Sequence, residues 1–245
     1  MSIYLLSNIL ESLLHIAFLT PFLFFLRNES KRDTMVLVGL FIIYYLVNNL
    51  VVKLPFYYSS LNIFGGQWNW SGKVYTIVWS IIFISIFQNR FKNFIGFQFN
   101  ISRRIWGLFF FILLVAFVAG ILFYFKPWDT ETLLFQAILP GIDEEIAFRG
   151  IMLGILTTIL VTKKRIGRWQ IHHPEIWAVS LLFGFVHGIK LSADLNLTFD
   201  AIYFIHTFIL GWIWGYMTVK SKSIYLSMLS HNLSNFIPNL IGMLK

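Results

Sequence analysis

Apolar stretches of helix length alternate with short polar connections along the whole chain. They fall at residues 3–26, 35–52, 74–87, 105–125, 142–161, 176–191, 199–219 and 224–244. A helix rises about 1.5 Å per residue, so crossing about 30 Å of hydrocarbon takes about 20 apolar residues. The pattern predicts an all-α polytopic membrane bundle of about eight transmembrane helices. The third stretch is short and extends back through Trp68 and Trp70, which suit an interfacial anchor. No segment alternates with period two for the length a membrane barrel needs. The first stretch has no basic leading region and contains Glu11 and His15, so it reads as a permanent helix rather than a cleaved signal. Residues 53–73 read as the longest external loop. Pro140-Gly141 is expected to break a helix and leave residues 128–139 at the interface or dipping partway in.

Composition narrows the class. With 58% hydrophobic and only 12% charged residues, the 245-residue chain is far more apolar than a soluble domain and is not a disordered one. The length suits a single integral membrane domain over residues 1–245. The absence of cysteine excludes disulfides, thiolate metal sites and a thiol nucleophile. A net charge of +8 raises a nucleic-acid partner, but the distribution argues against one. Thirteen of the 19 Lys and Arg residues lie in alternate connections (27–34, 88–104, 162–175 and 220–223), against four in the connections between them. That is a topology signal, placing the first set in the cytoplasm and both termini outside.

Ionisable residues inside spans are costly and face an interior or a water-filled cavity. As bounded above, the second, third and fourth spans hold none. The exceptions concentrate in the last four. Asp143-Glu144-Glu145-Ile146-Ala147-Phe148-Arg149 puts Glu145 and Arg149 at i,i+4, where they can pair. Glu144 points about 100° away and is left as a surplus carboxylate, a candidate general base. The plainer reading is a paired helix end at the membrane surface. Phe183-Gly184-Phe185-Val186-His187-Gly188 sets a histidine among small residues that admit close approach, or it is a helix cap. His231 and Asn235 share a face, as two donors for a developing oxyanion or as interhelical glue. Together these residues make a hydrolytic inventory. Glu11 and His15 read as a bundle-facing pair, with a proton relay as the alternative. Asp200 reads as a helix start, His206 as a packing histidine with a place on the cavity wall as the alternative, and His172-His173 as solvated.

The ordered set Glu144-Glu145-x-x-x-Arg149, Phe183-x-x-x-His187 and His231-x-x-x-Asn235 resembles the CAAX protease and bacteriocin-processing family of intramembrane endopeptidases. The resemblance covers roughly residues 130–240, the catalytic core, and leaves residues 1–125 as four accessory spans. It implies that Glu144 activates water with help from His187, and that His231 and Asn235 form the oxyanion side. It implies that Glu145, Arg149 and Phe183 position the base or bind substrate. The implied substrate is a membrane-associated peptide or protein, hydrolysed in a lipid bilayer, with a bacterial cell membrane as the expected location. No cofactor is expected, because there is no His-Glu-x-x-His run and asparagine is a poor zinc ligand. Zinc held by Glu144, His187 and His231 is the alternative.

Two other classes stay open: a non-enzymatic bacteriocin immunity protein, and a small transporter, for which the inverted repeats are missing. The charge pattern sets the orientation. With no native cysteine, Asp194→Cys should be labelled by an impermeant maleimide from the outer face of intact cells. Labelling from the cytoplasm would invert the topology.

Overall fold

The computed structural model describes residues 3–27, 30–96 and 101–245. Among them run nine α-helices: α1 (Ile3–Ala17), α2 (Lys31–Tyr57), α3 (Trp70–Phe87), α4 (Arg103–Phe123), α5 (Thr130–Glu145), α6 (Leu153–Ile159), α7 (Pro174–Gly188), α8 (Ala201–Ser221) and α9 (Tyr225–Met243). Two small antiparallel hairpins sit in connections, β1 (Lys163–Ile166) with β2 (Trp169–His172), and β3 (Ile189–Leu191) with β4 (Leu197–Phe199). The all-α class holds. Four helical segments are long and apolar enough to cross a membrane: α2, α3 with the short turn that follows it, α4 and α8.

Several boundaries differ from expectation for identifiable reasons. The first stretch does not run to residue 26. It stops at Ala17, and Pro21 opens a 3₁₀ turn over Thr20–Phe25. The chain then pairs with the end of α6, where Val161 N donates to Phe25 O and Arg27 N to Ile159 O, both at 2.9 Å. Helices α2 and α3 extend beyond their hydropathic cores. Asn69 caps α3 by accepting from Gly72 N, so the helix starts at Trp70 and takes Lys73 inside it. Lys53 likewise falls inside α2. The second and third spans are therefore not free of charge.

The break expected at Pro140-Gly141 does not occur, and α5 runs through both residues. Proline removes a donor from the helical ladder, and a side chain from α9 braces the helix on either side of it. Asn232 Oδ1 accepts from Gly141 N at 2.7 Å, and its Nδ2 donates to Ile138 O at 3.1 Å. Gly141 makes this possible: a Cβ there would lie 2.5 Å from Met228 O. After Glu145 the helix widens into a π-helical turn (Ile146–Met152), closed by Leu153 N on Phe148 O, before narrowing into α6. Such turns recur at functional sites.

The rod from α5 to α6 is the axis of the molecule. Ile151, Met152, Leu153 and Ile155 are completely buried, and α2, α3, α7, α8 and α9 pack against the rod. Helix α7 lies closely along α8, since a Cβ at Gly188 would sit 2.5 Å from Phe204 Cβ. The outer face is apolar, with Phe110, Phe111, Leu114 and Leu122 of α4 exposed. That is the surface hydrocarbon would cover. Gly141→Val should overpack the α5–α9 crossing and destabilise the fold by about 1–3 kcal/mol. A lowered thermal midpoint in detergent is the expected readout.

Candidate active site

Three consecutive carboxylates leave the end of α5 in different directions, because successive helical residues diverge by about 100°. Asp143 and Glu144 face α3. There the Lys73 ammonium donates to Asp143 Oδ2 and to Glu144 Oε1, each at 2.7 Å. Thr76 Oγ1, one turn further along α3, donates to the other Asp143 oxygen at 2.5 Å. Glu145 turns into the bundle. Its Oε1 accepts from Arg149 Nη1 at 3.0 Å and from His231 Nδ1 at 2.9 Å.

This changes the charge balance read from the sequence. Glu144 is not the surplus carboxylate beside one paired neighbour. Asp143, Glu144 and Glu145 are set against Lys73 and Arg149, so the cluster as a whole is one negative charge in excess. Buried ions without a partner are strongly disfavoured, and this arrangement leaves each carboxylate touching a cation.

Both histidines aim the same nitrogen at Glu144. His187 Nδ1 is 2.7 Å from the Phe183 carbonyl, which can only accept, so the proton lies on Nδ1. His231 Nδ1 is held in the same way by the Glu145 carboxylate. The Nε2 atoms of both rings then lie 3.9 Å from Glu144 Oε2. That oxygen is buried and has no hydrogen-bond partner. His231 can donate from Nε2 only when both ring nitrogens are protonated.

Arg149 and Glu145 are completely buried, and neither lines the cavity beside Glu144. Their place is behind the site. The guanidinium lies over the Phe183 ring at 4.5 Å and near Trp214 at 5.5 Å, and donates to Gly211 O at 3.2 Å. Trp214 in turn stacks on His231 at 4.2 Å and donates to Ser230 Oγ at 3.1 Å. These contacts hold His231 and Phe183, and through the Phe183 carbonyl they set His187.

A cavity of about 310 Å³ opens in front of Glu144 and is lined by Phe183, His187, His231 and Asn235 among others. Trp68 and Phe135 form an aromatic wall, stacked at 4.9 Å. His206 is exposed and lines the cavity, so the reading of it as a packing histidine is corrected. The Glu11–His15 pair is also corrected. Glu11 pairs with Lys53 at 2.9 Å, while His15 Nδ1 meets Tyr45 Oη at 2.8 Å. Asp200 does cap a helix, accepting from Tyr203 N at 2.9 Å. Among the described residues, no three His, Cys, Asp or Glu side chains gather closely enough to form a metal-holding set.

Sequence reasoning brought forward Glu144, Glu145, Arg149, Phe183, His187, His231 and Asn235; five of them line one cavity, and Glu145 and Arg149 lie behind it. It missed Lys73, Asp143 as a partner in the cluster, Thr76 and Trp214. The first had a signal. Lys73, Thr76 and Ser80 recur at helical spacing once the helix is started at Asn69, and they form a polar stripe on an otherwise apolar element.

Fold and site together define a polytopic helical membrane protein with a carboxylate–imidazole centre enclosed by its helices. Residues 105–237, more than half of the chain, match the family described as Type II CAAX prenyl endopeptidase Rce1-like. The chain belongs to that family of CAAX-type membrane proteases. No curated protein and no solved structure matches it.

Removing the shared cation should expose the cost of the cluster. Lys73→Met leaves two buried carboxylates unpaired and should destabilise the protein by about 3–5 kcal/mol. Adding Asp143→Asn should recover part of that loss. Thermal unfolding of the two variants in detergent checks both expectations.

Proposed function

We propose that the protein is an intramembrane endopeptidase in which Glu144 activates water to hydrolyse a peptide bond of a membrane-associated substrate. One observation carries the reading: a buried, unpartnered carboxylate oxygen facing two imidazole Nε2 atoms, each 3.9 Å away, at the edge of a cavity. A water about 2.8 Å from Glu144 Oε2 and from His187 Nε2 spans that gap. It donates one hydrogen to each, because His187 has already committed its Nδ1 proton and offers Nε2 as an acceptor.

The water oxygen then attacks the scissile carbonyl carbon as its proton moves to Glu144 Oε2. Negative charge develops on the carbonyl oxygen. Donation from the Asn235 amide, and from His231 Nε2 when that ring carries two protons, stabilises it. The C–N bond breaks as Glu144 returns the proton to the departing nitrogen, and the second water proton, left on the new carboxyl group, passes to the amine, leaving a carboxylate and an ammonium. Lys73 holds the other oxygen of Glu144 throughout and keeps the carboxylate aimed. Glu145, Arg149 and Phe183 position the two histidines. In this reading the remaining helices also cross the bilayer, giving about eight spans.

The walls support the proposed substrate class. An apolar groove of about 270 Å³ between α4, α8 and α9 shares His206, Leu210 and Asn235 with the cavity. It suits a lipid chain or an apolar segment continuous with a peptide in the site. In a bacterial cell membrane that peptide could be a processed bacteriocin or another lipid-linked protein.

The second reading uses the same two Nε2 atoms and Glu144 Oε2 as zinc ligands. Lys73 counts against it, since a cation already sits on Glu144. Glu144→Gln should fold normally and lower kcat by about 10²–10⁴-fold on a farnesylated CAAX-type peptide in liposomes. Wild-type cleavage should persist after chelation. Retained cleavage by Glu144→Gln would refute the base, and chelator loss reversed by zinc alone would establish the metal reading.

A further inference from the structure

A second polar chamber, of about 170 Å³, lies on the opposite side of Glu144 from the cavity just described. The two share Lys73, Glu144 and His187, so these side chains from α3, α5 and α7 form the partition between them. The cavity in front lies towards α8 and α9. The chamber behind lies towards α1 and α2, and is lined by Glu11, His15, Asn48 and Lys53 among others. None of these four belongs to the constellation read from the sequence as catalytic.

The chamber is built for water. Asn48 Oδ1 is buried without a hydrogen-bond partner on one wall, and Glu144 Oε2 is in the same condition at the partition. An unsatisfied buried polar atom is costly, and a water drawn in from the chamber by a small side-chain shift would relieve either one. At about 30 Å³ per molecule the space takes several waters. Its mouth is also polar. The Lys53 side chain is 31% exposed and pairs with Glu11, Glu11 Oε2 accepts from Leu191 N at 2.7 Å, and Lys190 is exposed beside them.

Hydrolysis consumes one water per turnover. A bound peptide would fill the front cavity and cut Glu144 off from solvent on that side. Hydrocarbon surrounds the bundle and supplies none. We propose that the rear chamber is a hydrated antechamber that feeds the attacking water to Glu144 from the side opposite the substrate. The proposal rests on the hydrolytic reading of Glu144. Asn48 is a positioning residue for the water, and the Glu11–Lys53 bridge frames the route to solvent.

Two measurements test it. A thiol reacts with 2-aminoethyl methanethiosulfonate only where water ionises it. In the folded full-length chain, Asn48→Cys should react although buried, while Ile43→Cys, 54% exposed on the apolar part of the same helix, should not. An unreactive Asn48→Cys overturns the hydrated chamber. Asn48→Leu, which fills the chamber with an apolar side chain, should lower kcat on the farnesylated peptide by about tenfold or more, equivalent to a modest rise in barrier. KM should stay near its wild-type value, and Asn48→Ser, which keeps a water-binding group, should restore turnover. Wild-type kcat in Asn48→Leu overturns the feed while leaving Glu144 in place. A wild-type protein that cleaves no peptide retires the hydrolytic reading itself, a different result from either.

Discussion

The site depends on one buried ammonium. Lys73 sits inside a membrane helix and touches both Asp143 and Glu144. Without it, two adjacent carboxylates would face each other in a medium that supports neither. With it, α3 is tied to the end of α5, one oxygen of Glu144 is pinned, and the other is left free towards the histidines. The same ion pair therefore joins helices, orients the candidate base and forms part of the partition between two cavities.

A second layer of contacts repeats this economy with different chemistry. Arg149 is completely buried yet lines no cavity. It balances Glu145, and Glu145 holds the Nδ1 side of His231. The aromatic rings of Phe183 and Trp214 take up the rest of the guanidinium. Each histidine is thus fixed at one nitrogen by a group that only accepts, and presents the other nitrogen to Glu144. Orientation of this kind is how a second shell controls chemistry it never touches. It also explains why one end of α5 can carry three acids: Asp143 and Glu144 share Lys73, and Glu145 has Arg149.

The helices that make the site depend on small or ring-constrained residues at crossings. Pro140-Gly141 looks like punctuation in one dimension. In three it is the place where α9 comes close enough for Asn232 to bond the backbone at Gly141 and Ile138, on either side of the proline. Local rules describe an isolated helix, where nothing braces the turn that proline weakens. Inside a bundle a neighbour's side chain can hold that turn, so the same dipeptide makes a contact instead of ending an element. Pro21 obeyed the local rule: α1 stops at Ala17, whose carbonyl accepts from Thr20 Oγ1 at 2.9 Å, and a 3₁₀ turn follows.

The sequence by itself determined the membrane class, the helical architecture and the identities of the polar residues that stand out against an apolar background. Those follow from hydropathy and i,i+4 spacing, which are properties of the chain alone. It also showed that Glu144 and Glu145 must point apart. Only the tertiary structure decided which cation meets which acid, because Lys73 and Glu144 are 71 positions apart. Hydropathy placed Lys73 in a loop, since a charge ends an apolar window whatever its partner. The chamber at Asn48 and Glu11 belongs to the same category. It exists because α1, α2 and α7 converge behind α5, and no spacing along one chain segment encodes that convergence.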